Sequence, residues 1–333
     1  MKFGLFGSAK LTKTHNDLDS PLNYNEWIDY NIEAEKLGYV STFTVEHHFT
    51  GLGQVSASLN LLTYLAAKTS KIKLGTAVLT LPWHNPVLIA EQVATMDLLS
   101  GGRIELGVGK GYRYNEFKGF NIDMEEASER FDESVDIILK SWISRERWSF
   151  KGKFWSYKDI IVEPLCNQKP HPSLWMAAGN HQSIENVAKR NVNLLLDQFS
   201  PLSEVHKRVE TYKISMNNFG YNSDTRNRIA LARALYIAKD HKEKMEIIEK
   251  RMEARSKVDK LSERPDGNNK SSIMSFKGPE EAINGALIGT EDEIHNRLNE
   301  LKKIGIGYIL LVDAGGGLKH LKKFAKKIMP FHN

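Results

Sequence analysis

The chain predicts a closed (β/α)8 TIM barrel, and three observations carry the prediction. Eight strand-like stretches recur along the sequence with helical stretches between them, an alternation that calls for parallel strands joined by crossover helices. The intervening segments repeat apolar residues at three- and four-residue spacing, as helices packed on a sheet do. The second strand-like stretch runs out into Glu46-His47-His48-Phe49, which sets ring nitrogens at the strand end where barrel enzymes keep their chemistry.

Lys2 to Phe6 opens the series. From Asn23 to Leu37, Trp27, Tyr30, Ala34 and Leu37 share one helical face, with Asn23 and Glu26 as a capping pair and Gly38 as the stop. Val40 to Val45 is rich in β-branched and aromatic residues, and Ser58 to Thr69 aligns Leu62, Leu65, Ala66 and Thr69. Ile72 to Leu81 is the third strand. Asn85-Pro86 then supplies an N-cap and a proline at the first helical position ahead of Ile89, Val93 and Met96. Arg103 to Val108 is the fourth strand, and the helix after it aligns Phe131, Val135, Ile138 and Trp142. Ser149 to Val162, turning at Lys151-Gly152, reads as a hairpin inserted before the fifth unit. Ser173 to Ala178, Asn193 to Leu196, Ile229 to Ala238 and Tyr308 to Val312 complete the strands. Val205-Val209-Tyr212 and the capped Thr290-x-x-Glu293 start mark helices among them. Ser256 to Ser272 has no apolar period and contains Pro265, Asp266, Gly267 and Asn268, which predicts a long mobile loop.

Composition sets the class. With 333 residues, 41% hydrophobic, 26% charged and a mean hydropathy of −0.41, the chain is expected to form one soluble domain over residues 1–333. No apolar run reaches bilayer length, and the segment after Met1 lacks the apolar core of a secretory signal, so no membrane association is expected. Cys166 is the single cysteine, which excludes an internal disulfide and any multi-cysteine metal site and fits a cytoplasmic location. A net charge of +5 spread among mixed signs argues against nucleic-acid binding.

Barrel geometry directs attention to the loops after the strands. His47 and His48 face opposite ways as neighbours on a strand, so they do not readily share one metal ion and no third ligand is evident. No metal is expected. One imidazole can serve as a base or hydrogen-bond donor at the barrel mouth while the other is fixed by packing; equally, both can be structural histidines. Gly179-Asn180 followed by Ser183 opens a predicted helix, which is either a phosphate site at free amides or an ordinary N-cap. Gly107-x-Gly109-Lys110-Gly111 permits close backbone approach and adds a positive charge, although it matches neither the P-loop nor the dinucleotide fingerprint.

These residues resemble the bacterial luciferase-like flavin monooxygenases, and within them the luciferase α subunit. The likeness runs through Met1-Lys2-Phe3-Gly4, Glu46-His47-His48-Phe49-Thr50, Gly75-Thr76-Ala77, Leu81-Pro82, Pro86-Val87, Gly107, Gly111 and Gly289-Thr290. The resemblance implies a (β/α) barrel that binds reduced FMN delivered by a separate NAD(P)H-dependent flavin reductase. It implies reaction with O2 through a flavin hydroperoxide, oxygenating a small apolar organic substrate such as an aldehyde or other carbonyl compound. It assigns His47 to proton handling beside the flavin, His48 to orienting it or shaping the pocket, and Glu46 to the cofactor site. It places the phosphate on Lys110 and the Gly179, Asn180, Ser183 segment, and a non-proline cis peptide at Ala77-Val78 under the flavin. Lys110 stands where luciferase has arginine, keeping charge without bidentate geometry. Gly109 stands where luciferase has a reactive thiol, and Trp83-His84-Asn85 replaces a smaller segment, which argues against light emission. The resemblance also implies a homodimer through Leu59 to Ala67 and Ile89 to Leu99, and it makes the Ser256 to Ser272 loop the candidate lid. Two alternatives stay open: a deazaflavin-dependent oxidoreductase on the same scaffold, and a flavin-binding protein without turnover. A metal-dependent barrel hydrolase is a more distant third.

Overall fold

In the computed structural model, residues 1–11, 22–259, 264, 267 and 279–332 are described. In chain order the first half contains β1 (Lys2–Phe6), α1 (Tyr24–Lys36), β2 (Ser41–Thr44), α2 (Ser58–Ala66), β3 (Lys73–Thr76), β4 (Leu79–Thr80), α3 (Pro86–Leu99), β5 (Ile104–Gly109), α4 (Tyr114–Gly119) and α5 (Ala127–Ile143). There follow β6 (Trp148–Lys151), β7 (Ser156–Ile160), β8 (Ser173–Ala177), α6 (His181–Lys189), β9 (Asn193–Leu196), α7 (Leu202–Asn218), β10 (Ile229–Ile237) and α8 (His241–Asp259). The chain finishes with α9 (Pro279–Asn284), β11 (Leu287–Gly289), α10 (Glu291–Lys303), β12 (Tyr308–Asp313) and α11 (Gly317–Lys327).

Parallel pairing runs β1-β2-β3-β5-β8-β9-β10-β12 and returns from β12 to β1, with Lys2 opposite Tyr308 and Phe6 opposite Val312. The eight predicted staves therefore close into a (β/α)8 barrel, as the sequence implies. The third stave is broken in two: β3 ends at Thr76, the Ala77-Val78 peptide is cis, and β4 resumes beside β5 before a 3₁₀ turn over Leu81–Trp83. Short β11 pairs with the far end of β10, outside the ring, and was not foreseen. The inserted hairpin is present as antiparallel β6 and β7. Glu133 of α5 seats its turn by accepting the amides of Lys153, Phe154 and Trp155.

The predicted helix starts have the physical basis expected of them. Asn23 and Glu26 cap α1 reciprocally, Asn85 accepts from the amides of Val87 and Leu88 ahead of α3, and Thr290 with Glu293 boxes α10. The α5 face Phe131, Val135, Ile138 and Trp142 is buried against the sheet, and Trp142 Nε1 donates to Ala90 O of α3. The long polar loop expected from Ser256 does not begin there, because residues 256–259 continue α8. Of the rest of that stretch only Arg264 and Gly267 lie within the described residues, and the expected lid falls outside them.

The barrel interior is packed around three aromatic side chains. Phe43, Trp175 and Tyr308 meet edge to face with centroids 5.6 to 6.5 Å apart, and Leu195, Ala230, Ala232, Leu310 and Val312 complete the cluster. Room for these rings comes from absent side chains on neighbouring staves. A Cβ at Gly75 would stand 2.4 Å from the Phe43 ring, and one at Gly107 would stand 1.8 Å from Thr76 O. Above this plug, Phe6, Ala77 and Val78 are only partly buried and Ala177 is exposed. The C-terminal mouth is thus floored by small and apolar groups that remain accessible.

Candidate active site

β2 leads into Glu46-His47-His48 at the mouth, and the two histidines turn to different carboxylates. His47 is 8% exposed; its Nδ1 lies 3.1 Å from Glu116 Oε1, and its amide donates to Val55 O. The same Glu116 oxygen accepts the His48 amide at 2.9 Å, with Arg113 Nη1 at 4.0 Å. Among the described residues no group engages His47 Nε2. His48 Nε2 and His84 Nε2 instead converge on Glu46 Oε1 at 2.9 and 2.7 Å, while Glu46 Oε2 accepts the Thr80 amide. Burial pushes the Glu46 carboxyl up, yet the hydrogen bonds from His48 and His84, the His84 charge and the Thr80 amide together bring it down to about 2. Glu46 is therefore an anion that ties the β2 exit to the turn after β4.

The third stave and β5 are locked together at the same end. Thr76 Oγ1 donates to Gly107 O at 2.6 Å and accepts from the Gly107 amide, and Ala77 N donates to Thr44 O of β2. Val78 lies against Gly109, where an added Cβ would come within 2.5 Å of its Cγ2. Gly109 is thus covered by the Val78 isopropyl group. Beyond β4, Trp83 stacks on Phe120 at 5.2 Å and meets His48 and Phe117 edge on, forming an aromatic wall behind the histidines.

At the end of β8, where the resemblance implies a phosphate site, Asn180 is the N-cap of α6 and forms a reciprocal box with Ser183. The ordinary-cap reading is correct for these two side chains, but the box satisfies only the amides of Asn180 and Ser183. Those of His181 and Gln182 have no partner among the described residues, so the helix start still offers donors to an anion. Gly179 precedes the cap on the loop from Ala177. Lys110 Nζ, directly after β5, bonds Ser128 Oγ at 3.1 Å near the start of α5. The other glycine-rich turn, after β12, is already filled: Asp313 Oδ1 accepts the amides of Gly315, Gly316 and Gly317. Among these turns, the free amides of His181 and Gln182 after β8 and the ammonium of Lys110 after β5 are the donors left open among the described residues.

All the sequence-predicted residues stand at the C-terminal ends of four adjacent staves: Glu46, His47 and His48 after β2, Ala77 and Val78 after β3, Lys110 after β5, and Gly179, Asn180 and Ser183 after β8. Sequence reasoning missed Glu116 and the attachment of His84 to Glu46. Glu116 sits on six-residue α4 in the loop between β5 and α5, where an acid beside a glycine-rich turn was the available signal.

A family model described as luciferase-like monooxygenase matches residues 1–307. The FMNH2-dependent dimethylsulfone monooxygenase of Pseudomonas putida is 27% identical over 327 residues, covering 91% of this chain and 87% of that one. Among solved structures, monooxygenase RslO1 of Streptomyces bottropensis superposes with a TM-score of 0.80 at 24% identity over the whole of both chains. An F420-dependent secondary alcohol dehydrogenase bound to an F420-acetone adduct reaches 0.82 at 14% identity, covering all of this chain and 99% of the other. Among the described residues no helix is long and apolar enough to cross a membrane.

Proposed function

This chain belongs to the luciferase-like monooxygenase family, and on that footing we propose that it takes reduced FMN across the barrel mouth and oxygenates a small apolar organic substrate. The observation that carries this reading is His47, held at Nδ1 by a buried carboxylate with Nε2 uncommitted, at the rim of an accessible apolar floor.

The fit to a flat ring system rests on the floor itself. Ala77, Val78 and Ala177 offer apolar surface with little bulk beside the Phe6 ring, and Gly107 and Gly109 leave room for the neighbouring stave. The His181 and Gln182 amides and the Lys110 ammonium supply the donors that a phosphate tail takes. When bound, reduced flavin contributes the electrons that activate O2. The protein excludes water with the apolar floor and the Trp83-Phe120 wall, and it can accept or return a proton at His47 Nε2. Glu46 anchors His48 and His84 so that the corner keeps its shape. The name of the Pseudomonas putida relative supports FMNH2 as the form bound, and reduced flavin delivered in solution implies a separate NAD(P)H-dependent reductase. The proposed assembly is a homodimer through α2 and α3.

The test is anaerobic titration with reduced FMN followed by O2 and a panel of aldehydes, ketones and sulfones, scoring oxygenated product against released H2O2. Retention of reduced FMN and product in the wild type, with His47→Ala diverting at least about tenfold more turnover to H2O2, is the expected result. Failure to bind reduced FMN, or an unchanged product ratio in the variant, removes the reading. A second reading, hydride transfer with a deazaflavin, is favoured by the fold shared with the F420-dependent alcohol dehydrogenase. Preferential binding of F420 over FMN in the same titration selects it.

A further inference from the structure

We propose that Glu116 is the positioning residue of the site: it holds His47 in the tautomer whose Nδ1 carries the hydrogen, so that the Nε2 lone pair faces the barrel mouth. This deepens the proposed function and rests on it for its catalytic meaning, but the tautomer itself is a property of the protein alone.

A carboxylate can only accept, so its 3.1 Å contact with Nδ1 requires Nδ1–H in the neutral ring. The same Oε1 accepts the His48 amide at 2.9 Å, which ties ring orientation to the backbone that carries it. Both side chains are enclosed, at 8% and 3% exposure, so water does not compete for these bonds and an apolar residue would serve if packing were the only need. Among the described residues, the charged groups shown to bond at this corner are Arg113, 4.0 Å from Glu116, and the Glu46-His48-His84 group, whose ring nitrogens point to Glu46. None of these reaches His47 Nδ1, so among the described residues Glu116 sets which nitrogen bears the hydrogen. When Nε2 takes a proton the ring becomes an imidazolium with Glu116 as its counter-ion; when it gives the proton back, the Nδ1–H form is restored with no other bond changed.

The test combines ¹⁵N-histidine spectra of the protein without flavin, in which His47 is assigned by its loss in His47→Asn, with turnover measurements. Wild type is expected to show the Nδ1–H pattern. Glu116→Leu is expected to swing His47 to the Nε2–H form that a neutral imidazole favours, and Glu116→Gln, which keeps an acceptor oxygen, to retain Nδ1–H. In turnover, Glu116→Leu is expected to lower kcat about 10²-fold with reduced-FMN affinity held within about threefold, Glu116→Gln to recover part of it, and Glu116→Leu in a His47→Ala background to add no further loss. Circular dichroism guards against misfolding, and Glu116→Gln keeps the test informative if the leucine variant does not fold. An Nδ1–H pattern that persists in Glu116→Leu, or one already absent from wild type, overturns the proposal. So does a loss confined to flavin affinity. A tautomer swing accompanied by a harmless His47→Ala substitution leaves the positioning role standing and removes the catalytic one, which separates the two failures.

Discussion

Glu46 stays ionised inside the protein because donors converge on it. Burial alone raises its carboxyl, but His48, His84 and the Thr80 amide win and bring it to about 2, below its ordinary 4.5. A depressed folded-state value means the unfolded chain binds the proton more readily, so this stability is complete above pH 4.5 and is lost as pH falls toward 2. Glu46→Gln is expected to lose on the order of 3 kcal/mol in urea unfolding at pH 7, with the gap to wild type narrowing between pH 4.5 and 3. Glu105 behaves in the opposite sense. It sits on β5 with Oε2 enclosed and unbonded, and burial raises its carboxyl against the pull of Lys73, Lys2 and the Trp175 indole. Its folded form prefers the proton, so its contribution is greatest below pH 4.5 and declines as pH rises through the elevated folded value. Glu105→Gln is therefore expected to raise the melting temperature at pH 8 and to leave it nearly unchanged at pH 4. A gain at pH 4 equal to that at pH 8 contradicts the assignment.

At the scale of the elements, close approach of neighbouring staves decides what the barrel tolerates. Gly107→Ala sets a methyl 1.8 Å from Thr76 O, a backbone atom of a residue whose side-chain Oγ1 is bonded to both the carbonyl and the amide of Gly107, so the two staves cannot part without losing those bonds. Gly152→Ala has as its nearest neighbour the Glu133 carboxylate, a side-chain end that can move aside at the expense of the amide bonds it makes to the hairpin turn. Gly107→Ala is expected to cost more than about 3 kcal/mol or to prevent folding, and Gly152→Ala about 1 kcal/mol, measured by chemical denaturation. Such glycines also mark the limit of what was legible in the sequence. The staves were readable because β-branched and aromatic runs end at turn residues, and the caps because Asn85, Asn23 and Thr290 carry their own side-chain chemistry. α8 was not, since its His241 to Asp259 segment is charged on every side, and three-residue β11 is too short for any period. His47 and His48 were legible as ring nitrogens at a strand end. Glu116 was not, because its partner lies 69 positions away and only the closed barrel brings them together.

For the whole molecule, the proposed homodimer turns on one surface. α3 buries Ile89, Ala90, Val93, Ala94 and Met96 against the barrel and α5, yet its opposite side presents Leu88, Leu98 and Leu99 at 53, 47 and 68% exposure. Tyr64 of neighbouring α2 adds a ring at 56%. The outer side of α3 thus mixes leucines with exposed Gln92 and Thr95, as an interface with a second copy does, and the α2-α3 pair is where the proposed homodimer places it. Two copies related by a twofold axis would lay each patch on its own equivalent, covering both at once. Sedimentation equilibrium at micromolar concentration is expected to give about twice 37.8 kDa for the wild type. Leu88→Lys together with Leu99→Lys sets like charges across that axis and is expected to weaken association at least about 10²-fold while leaving the far-ultraviolet spectrum intact, since neither side chain belongs to the core. A wild type that sediments as one chain, or a double variant that still sediments as two, places the interface elsewhere.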